Sequence, residues 1–285
     1  MANNSENPNK YDLGGDLRHA INRHGHAFQN AVLRRAGELF ENRSSKWIFD
    51  GVEIPVEVRG HSTRIDFLLH KRSWMQNGVA QFLIAECKRA NPALSNWCFA
   101  RSKFLRRNLE VDREPIVETV HFDGQDFTSE AQKLSSRGEV YALGYAVRAD
   151  KKGEGNPGRD AIEEACGQVL RGVSGFVHLL RSAPRFLIVK NPTPLIPVVF
   201  TTANLWTTDA ELSEADLSSG ELPNDLAVQA VPWVWYRYHM SPGLRHEITA
   251  TGGVREIGEM VEQLFVRTVA IVSPAGVDAF LTTEH

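Results

Sequence analysis

Charged residues interrupt two short apolar segments in the first third of the chain. Asp66 lies inside the run at 64–69, and Glu86 and Lys88 close the run at 82–88. Both runs have the length and apolar content that are typical of buried strands. A buried carboxylate loses several kcal/mol of hydration energy unless it is paired or bound to a metal. The pattern therefore indicates a functional site.

The second run carries its charges on one face. Successive side chains of a strand point to opposite sides of a sheet, so Glu86 and Lys88 share a face. The earlier members of that face are Phe82 and Ile84. The face therefore changes from apolar to charged at its C-terminal end.

The same rule places Asp66 in the first run. Ile65 and Phe67 are expected on the face opposite to Asp66. If the two runs pair as adjacent strands, Asp66, Glu86 and Lys88 meet within a few ångströms of one another at one edge of the sheet. In the alternative interpretation, Asp66 and Lys88 form a structural ion pair across strands and Glu86 is solvated.

This combination of side chains suits metal-assisted hydrolysis of a phosphodiester. Asp66 and Glu86 would bind Mg²⁺ or Mn²⁺, because such ions take oxygen ligands and bridge to phosphate. Lys88 would orient or help to deprotonate the attacking water and would offset the negative charge that develops on the phosphate. Cys87 would contribute only its backbone carbonyl, because a hard ion does not select a thiol.

In these residues the chain resembles the PD-(D/E)XK nuclease superfamily, which includes many restriction endonucleases and Holliday-junction resolvases. Asp66 matches the aspartate of the motif, Glu86-Cys87-Lys88 matches its E-X-K tripeptide, and Ile65 stands in place of the proline. The resemblance implies a nuclease that depends on Mg²⁺ or Mn²⁺, for which an endonuclease and a DNA substrate are favoured while RNA and cutting at ends stay open. Restriction, repair and anti-phage defence are the settings that such domains commonly serve. One alternative is a catalytically silent nucleic-acid-binding or assembly subunit that keeps the fold. A more distant alternative is a hydrolase of small phosphate compounds.

The resemblance also implies a fold. An α/β protein is expected, with a restriction-endonuclease-like αβββαβ core, a mixed central sheet flanked by helices, and a C-terminal α+β extension. Residues 1–18 are polar and are expected to be mobile. The core is expected at 19–205 with an insertion at 92–158, and the extension at 206–285 is expected to pack on it.

Hydrophobic periodicity predicts the elements of such a core. They are, in chain order, a helix at 26–41, a strand at 52–59, the two runs described above, a helix at 162–180, and strands at 185–190 and 196–201. Alternation assigns Glu53 to the polar face of the first strand, and Pro55 predicts that this strand lies at a sheet edge. Gly172 and Gly175 would let the second helix approach the sheet closely.

Both helices offer candidate site residues. Members of the superfamily often carry a further acid on the first helix, but helical phase places Gln29 on the inward face here. Because an amide adds no negative charge, one metal ion is favoured over two. Gln29 has an alternative role as an ordinary polar residue that bonds a backbone group. On the later helix, Gln168 is a weak catalytic candidate and Glu164 is an equal one.

Basic residues near the motif are candidates for contacts with nucleic acid. They are Arg64, Arg89, Arg101, Lys103, Arg106 and Arg107. The last four alternate with aromatic residues, including Trp97 and Phe99, which suits a surface that follows a phosphate backbone and stacks on bases. In the alternative interpretation, the aromatic residues pack into the core and Arg64 is an ordinary surface residue.

Composition limits the class of protein. The chain has 285 residues, is 42% hydrophobic and has a net charge of −3, so a basic coat over the whole surface is excluded and phosphate contacts depend on local patches. Three cysteines without metal-ligand spacing favour a reducing, cytoplasmic setting. No apolar run approaches the length of a membrane span. No P-loop is present, so ATPase activity or regulation would come from a partner subunit, and a homodimer is the other assembly considered.

Predictions are also made for three segments outside the motif, and two of these segments allow two interpretations. Residues 140–147 are predicted to form a strand. The aromatic strand at 231–239 either stacks bases or packs inside the protein, and the second interpretation is favoured. The glycine- and lysine-rich segment at 151–158 is either a lid that brings lysines to the substrate or a surface loop.

Overall fold

The computed structural model describes residues 12–23, 25–73, 78–101, 114–123, 126–136, 138–147, 160–182, 192–211, 214–222, 224–248 and 266–285. Several sequence predictions lie outside these residues. They are the strand at 185–190, the loop at 151–158, and the basic residues Lys103, Arg106 and Arg107.

Five helices and thirteen strands occur among the described residues. They are α1 (Leu13–Arg23), α2 (His26–Glu41), β1 (Ile48–Val58), β2 (His61–Ser73), β3 (Gly78–Lys88), β4 (Asn96–Arg101), β5 (Ile116–Asp123), β6 (Asp126–Lys133), β7 (Val140–Tyr141), β8 (Leu143–Val147), α3 (Asp160–Ser182), β9 (Thr193–Thr201), β10 (Asn204–Glu211), β11 (Val228–Val231), β12 (Trp233–His239), α4 (Pro242–Ile248), β13 (Val266–Val272) and α5 (Val277–Thr282). The predicted helix at 26–41 coincides with α2, and the predicted helix at 162–180 lies within α3.

A mixed sheet forms the centre of the molecule. Its strand order is β1-β2-β3-β9-β13-β12-β7, and the β5–β6 hairpin joins it through β9. Neighbouring strands β1, β2 and β3 are antiparallel, whereas β3, β9 and β13 are parallel. The α/β class and the mixed sheet agree with the prediction. The strand that contains Pro55 lies at the edge of the sheet, as its missing N–H group requires.

A second, smaller sheet has the order β11-β10-β4-β8. The strand predicted at 140–147 is divided between the two sheets, because β7 pairs with β12 whereas β8 pairs with β4. The single-strand prediction was therefore wrong. The chain leaves the central sheet at Ala142, whose N–H group donates to the carbonyl of Ala100 on β4.

Helices cover both faces of the central sheet. One hydrophobic cluster contains the inward face of α3, including Cys166, Val169 and Phe176. The other cluster contains residues of α2 and α5, among them Leu39 and Phe280. The sheet is thus the middle layer of three, and its two faces are buried by different helices.

The aromatic strand β12 is an interior strand of this sheet. It pairs with β13 on one side and with β7 on the other. Trp235, Tyr236 and Tyr238 are buried, which confirms the packed interpretation and excludes a base-stacking surface at these three residues. No helix among the described residues is long and apolar enough to cross a membrane.

Candidate metal centre

The β2–β3 ladder brings Asp66 and Glu86 to the same level of the sheet. Phe67 pairs with Ala85, so the next position of this antiparallel ladder sets Asp66 opposite Glu86. Asp66, Glu86 and Lys88 line one cavity of about 270 Å³. The structure therefore brings together the three residues that the sequence pattern grouped.

The wall of this cavity comes from five elements and the residues next to them. The other lining residues are Gly25, His26, Gln29, Glu53, Thr63, Arg64, Cys87 and Gln168. They belong to the start of α2, to β1, β2 and β3, and to the middle of α3. The cavity therefore lies at the C-terminal end of β3 and beside the middle of β1 and β2, between the helices that cover opposite faces of the sheet.

Glu53 is a third carboxylate of the cavity that the sequence analysis missed. On β1 it stands opposite Asp66, because Val52 pairs with Phe67 and Ile54 pairs with Ile65. Strict alternation had assigned Glu53 to the outward polar face. Its backbone is left-handed, with φ 52°, and this conformation breaks the alternation of the strand.

A turn signal in the sequence could have revealed Glu53. Val58 pairs with His61, so Arg59 and Gly60 form a two-residue hairpin turn. Both turn residues have positive φ, at 48° and 82°, as such turns require. Glu53 precedes Val58 by five residues and Asp66 follows His61 by five residues. The turn position alone therefore predicts that Glu53 and Asp66 are opposite each other in the β1–β2 hairpin.

The strand β2 is also irregular at Asp66. Ile65 packs in the cluster beneath α3, whereas Phe67 packs in the cluster beneath α2. The prediction that both side chains lie on the face opposite Asp66 was therefore wrong. The break in alternation occurs at the residue that faces the left-handed Glu53. In β3 the alternation is regular up to Glu86, as expected.

Hydrogen bonds hold the acidic wall in place. The Asp66 carboxylate accepts a bond of 2.6 Å from the Cys87 N–H group through Oδ2. Gln29 is buried, and its Nε2 donates to the Asp66 carbonyl at 2.7 Å and to Glu53 Oε1 at 3.2 Å. Gln29 thus faces inward as predicted, and it bonds a backbone group, as the alternative interpretation expected.

Lys88 is held by carboxylates from two elements. Its Nζ lies 3.3 Å from Glu86 Oε1 on the same strand and 3.8 Å from Glu164 Oε1 on α3. Glu86 is only 9% exposed, so the interpretation in which it is solvated at the strand end is wrong. Glu164 contacts the site through Lys88, whereas its neighbour one turn later, Gln168, lines the cavity itself.

Gln168 carries a buried oxygen atom without a partner in the described part of the chain. Its Oε1 is inaccessible to solvent and accepts no hydrogen bond from the described residues. A buried amide oxygen in this state loses free energy unless something else donates to it. Because no water can reach this oxygen, the side chain would have to turn before a water molecule or a ligand in the cavity could donate to it.

Burial shifts the proton affinities of the site. Burial raises the pKa of Glu86 to about 7, and the charge of Asp66 adds to that shift while Lys88 opposes it. Burial also raises the pKa of Asp66, although the hydrogen bond from the Cys87 N–H group lowers it. Burial likewise raises the pKa of the Cys87 thiol well above its usual value, so the thiol remains protonated. Desolvation therefore outweighs the stabilising charge of Lys88 at both acids.

The donor set fits a hard divalent cation. Carboxylate oxygens come from Asp66 and Glu86, and the Cys87 carbonyl oxygen borders the same space, 3.9 Å from where a side chain on Gly25 would begin. Within the described part of the chain, no group of three or more His, Cys, Asp or Glu side chains is already arranged to hold a metal ion. One oxygen of each acid is instead engaged by the protein, Asp66 Oδ2 by the Cys87 N–H group and Glu86 Oε1 by Lys88 Nζ.

The predicted basic residues occupy different positions. Arg64 lines the cavity, with Nη1 3.6 Å from Glu53 Oε2, and Arg89 is exposed directly after β3. Arg101 ends β4, where it pairs with Glu139 and lies 5.7 Å over the ring of Tyr141.

The aromatic residues of the predicted basic patch are divided by burial. Trp97 and Phe99 lie on β4 and are buried in the cluster beneath α3. The interpretation in which these two rings stack on bases is therefore wrong, and the core interpretation holds for them.

Comparisons with known proteins identify no relative of this chain. No protein-family model matches it, and neither a curated protein nor a solved structure matches it. Its function is therefore inferred from the residues and the geometry of the cavity.

Proposed function

We propose that this chain is a metal-dependent nuclease of the PD-(D/E)XK type. The observation that carries the proposal is the meeting of Asp66, Glu86 and Lys88 in one cavity, where the C-terminal end of β3 lies beside the middle of β2. Two desolvated acids beside one lysine are unfavourable for folding alone. Such a cost is typical of sites at which carboxylates bind a cation and a phosphate.

The order of elements supports the proposal. α2, β1, β2, β3, α3 and β9 follow one another along the chain in the αβββαβ order, with β4–β8 inserted before α3. β3 and β9 are parallel neighbours, and α2 and α3 pack on opposite faces. A restriction-endonuclease-like core would have this arrangement.

The residues take distinct roles in the proposed reaction. Asp66, Glu86 and the Cys87 carbonyl would hold Mg²⁺ or Mn²⁺, which supplies charge stabilisation at the phosphate and lowers the pKa of a bound water. Lys88, held by Glu86, orients the attacking water and offsets negative charge on the phosphate oxygens. Gln168, which lines the cavity, would accept a bond from that water only after its buried Oε1 turned toward it.

Gln29 is a positioning residue in this scheme. It donates to the backbone carbonyl of Asp66 and so fixes the strand at the level of the site. The cavity of about 270 Å³ is far larger than the roughly 10–15 Å³ that a single water molecule needs on the same measure. This is enough for one phosphate group and its bound waters, while Arg64 at the wall would contact a neighbouring phosphate.

DNA is the proposed substrate, and a direct assay tests the proposal. The purified protein is incubated with supercoiled, linear and single-stranded DNA and with RNA, in Mg²⁺, Mn²⁺ or EDTA. Asp66→Asn and Lys88→Ala should each abolish metal-dependent cutting. Lys46→Ala is the matched control, because Lys46 is exposed and pairs with Glu284 outside the cavity.

The assay also separates the two classes of function. Cutting that requires metal, is kept by Lys46→Ala and is lost in the other two variants supports the nuclease. Binding of nucleic acid without cutting under every condition overturns it in favour of the catalytically silent subunit. That second candidate is favoured by one observation, namely that the acids are turned toward protein donors in the described residues.

A further inference from the structure

The small sheet has one buried face and one face that points away from the core. Trp97 and Phe99 on β4 and Leu205 on β10 pack in the cluster beneath α3. Because side chains alternate along a strand, the residues between them lie on the opposite side, which we call the outer face. The outer face consists of the alternate residues within Asn96–Ala100, Leu143–Val147, Asn204–Thr208 and Val228–Ala230, beginning with the first of each range.

A row of side chains with two aromatic rings crosses the outer face. Trp206 on β10 pairs with Cys98 on β4, and Cys98 pairs with Tyr145 on β8. The two rings therefore belong to strands two spacings apart, which is about 10 Å at roughly 4.8 Å per spacing. The side chain of Cys98 is small, so the surface between the two rings is lower than the rings themselves.

The ring of Trp206 is held by the protein and still reaches solvent. Its Nε1 donates to Asn96 Oδ1 at 3.1 Å, so its polar atom is already satisfied. Trp206 and Tyr145 are both half-buried, and Val228 on the same face is 59% exposed. A fixed and partly exposed aromatic ring is a surface on which another flat ring can stack.

The charge of the outer face suits a polyanion. None of its residues, within the ranges given above, is acidic or basic. The chain as a whole contains 35 acidic residues and has a net charge of −3. A face without carboxylates does not repel phosphate groups that pass over it.

The small sheet begins beside the cavity. The N–H group of Thr202, which follows β9, donates to the carbonyl of Lys88 at the end of β3 at 3.1 Å. The N–H group of Asn204, which begins β10, donates to the carbonyl of Ser95 at 2.8 Å, directly before β4. Arg89 is exposed on the connection from β3 to β4. A nucleic-acid strand with one phosphate at Lys88 would therefore continue toward the small sheet.

We propose that the outer face binds single-stranded nucleic acid, with bases stacked on Trp206 and Tyr145 and with the backbone leading into the cavity. This rests on the proposed nuclease function and names a single-stranded segment as the part of the substrate that is held outside the cavity. A duplex does not fit this role, because its base faces are already covered by neighbouring bases. Stacking of this kind tolerates any base sequence, since every base has a π-face.

Fluorescence anisotropy of labelled oligonucleotides tests the proposal. The full chain is titrated in EDTA, so that nothing is cut, with thymidine and uridine oligonucleotides and with a DNA duplex of the same length. The wild type should bind the single strands more tightly than the duplex. Trp206→Leu and Tyr145→Leu should each weaken single-strand binding by at least about fivefold, the lower limit for the loss of one stacked base. Phe49→Leu is the matched control, because Phe49 is 54% exposed on β1 outside the cavity.

Trp206→Phe separates stacking from a structural role. It should keep most of the affinity, because a ring remains, but it should lose part of the quenching of tryptophan fluorescence that accompanies binding. Circular dichroism confirms that each variant is folded, and Tyr145→Leu carries the test if Trp206→Leu does not fold.

Three outcomes would contradict the inference. Unchanged affinity in both leucine variants would overturn it but leave the nuclease intact if metal-dependent cutting persists. Self-association of the wild type that Trp206→Leu abolishes would assign the outer face to a second copy of the chain and would overturn it in the same way. A wild type that binds no nucleic acid and cuts none would overturn the proposed function as well.

Discussion

Glu86 is the residue at which folding and the proposed function oppose each other. It is 9% exposed, and its positive partner Lys88 is shared with Glu164. Burial raises its pKa to about 7, so folding favours the protonated acid whereas metal binding requires the carboxylate. Natural sites of this kind give up stability for function.

A pH series on Glu86→Gln measures this cost. A pKa raised on folding contributes stability below the unfolded value, and that stability is lost as pH rises from about 4.5 to about 7. Without metal, Glu86→Gln should therefore be more stable than the wild type at pH 8, by about 3 kcal/mol, and the two should converge near pH 4. Urea denaturation at both pH values gives the difference. A variant that is less stable at pH 8 would contradict the burial argument.

At the scale of elements, the site depends on how closely α3 approaches the β1–β2 hairpin. Gly175 of α3 lies against Val56 of β1, and a Cβ atom added there would lie 2.5 Å from Val56 Cγ2. Gly172 packs less closely, because a Cβ atom added there would lie 3.2 Å from Ile65 Cγ1. The glycines predicted to allow close approach therefore do so, which brings Gln168 on the same helix to the cavity.

Substitution of Gly175 tests this packing. Alanine is the better helix former by about 0.5–1 kcal/mol, but the clash with Val56 should outweigh this and leave Gly175→Ala destabilised by about 1–2 kcal/mol. Gly37 on α2 is the control, because a Cβ there meets nothing within 4 Å. Gly37→Ala should be stabilised, as measured by thermal or urea unfolding. Equal effects of the two substitutions would show that α3 is not closely packed.

At the scale of the whole molecule, the C-terminal residues close one face of the central sheet. The ring of His285 lies 4.4 Å from that of Phe280 on α5 and 5.9 Å from those of Trp233 and Trp235 on β12. Its Nε2 lies 3.0 Å from the Phe280 carbonyl. Burial lowers the pKa of His285 to about 4. The neutral ring is thus part of the same aromatic group as β12 and α5.

His285 should make stability sensitive to acid. A histidine whose pKa is lowered on folding contributes stability above its unfolded value of 6.5, and that stability is lost as pH falls toward about 4. The loss should be about 3 kcal/mol, opposite in sign to the effect of Glu86 over much of the same range. His285→Phe keeps a ring and does not titrate, so its free energy of unfolding should vary less between pH 6.5 and 4. An unchanged slope would exclude His285 as the titrating group.

Local patterns predicted much of the site. The apolar periods of α2 and α3 and the charged end of β3 depend on neighbours in sequence, so they could be identified without structure. Gln29 was oriented correctly for the same reason, since helical phase is set by the chain itself. Glu53 was missed, because its left-handed backbone contradicts the alternation around it.

The sequence by itself determined the α/β class, the two main helices and the grouping of Asp66 with Glu86 and Lys88. Tertiary structure decided the rest: that β12 and β13 continue the central sheet beyond β9, and that 140–147 is shared between two sheets. It also decided that three carboxylates, not two, border the cavity. The physical reason is that periodicity reports only which side of an element is buried. Strand partners and strained residues are selected by contacts between segments that are far apart in the chain.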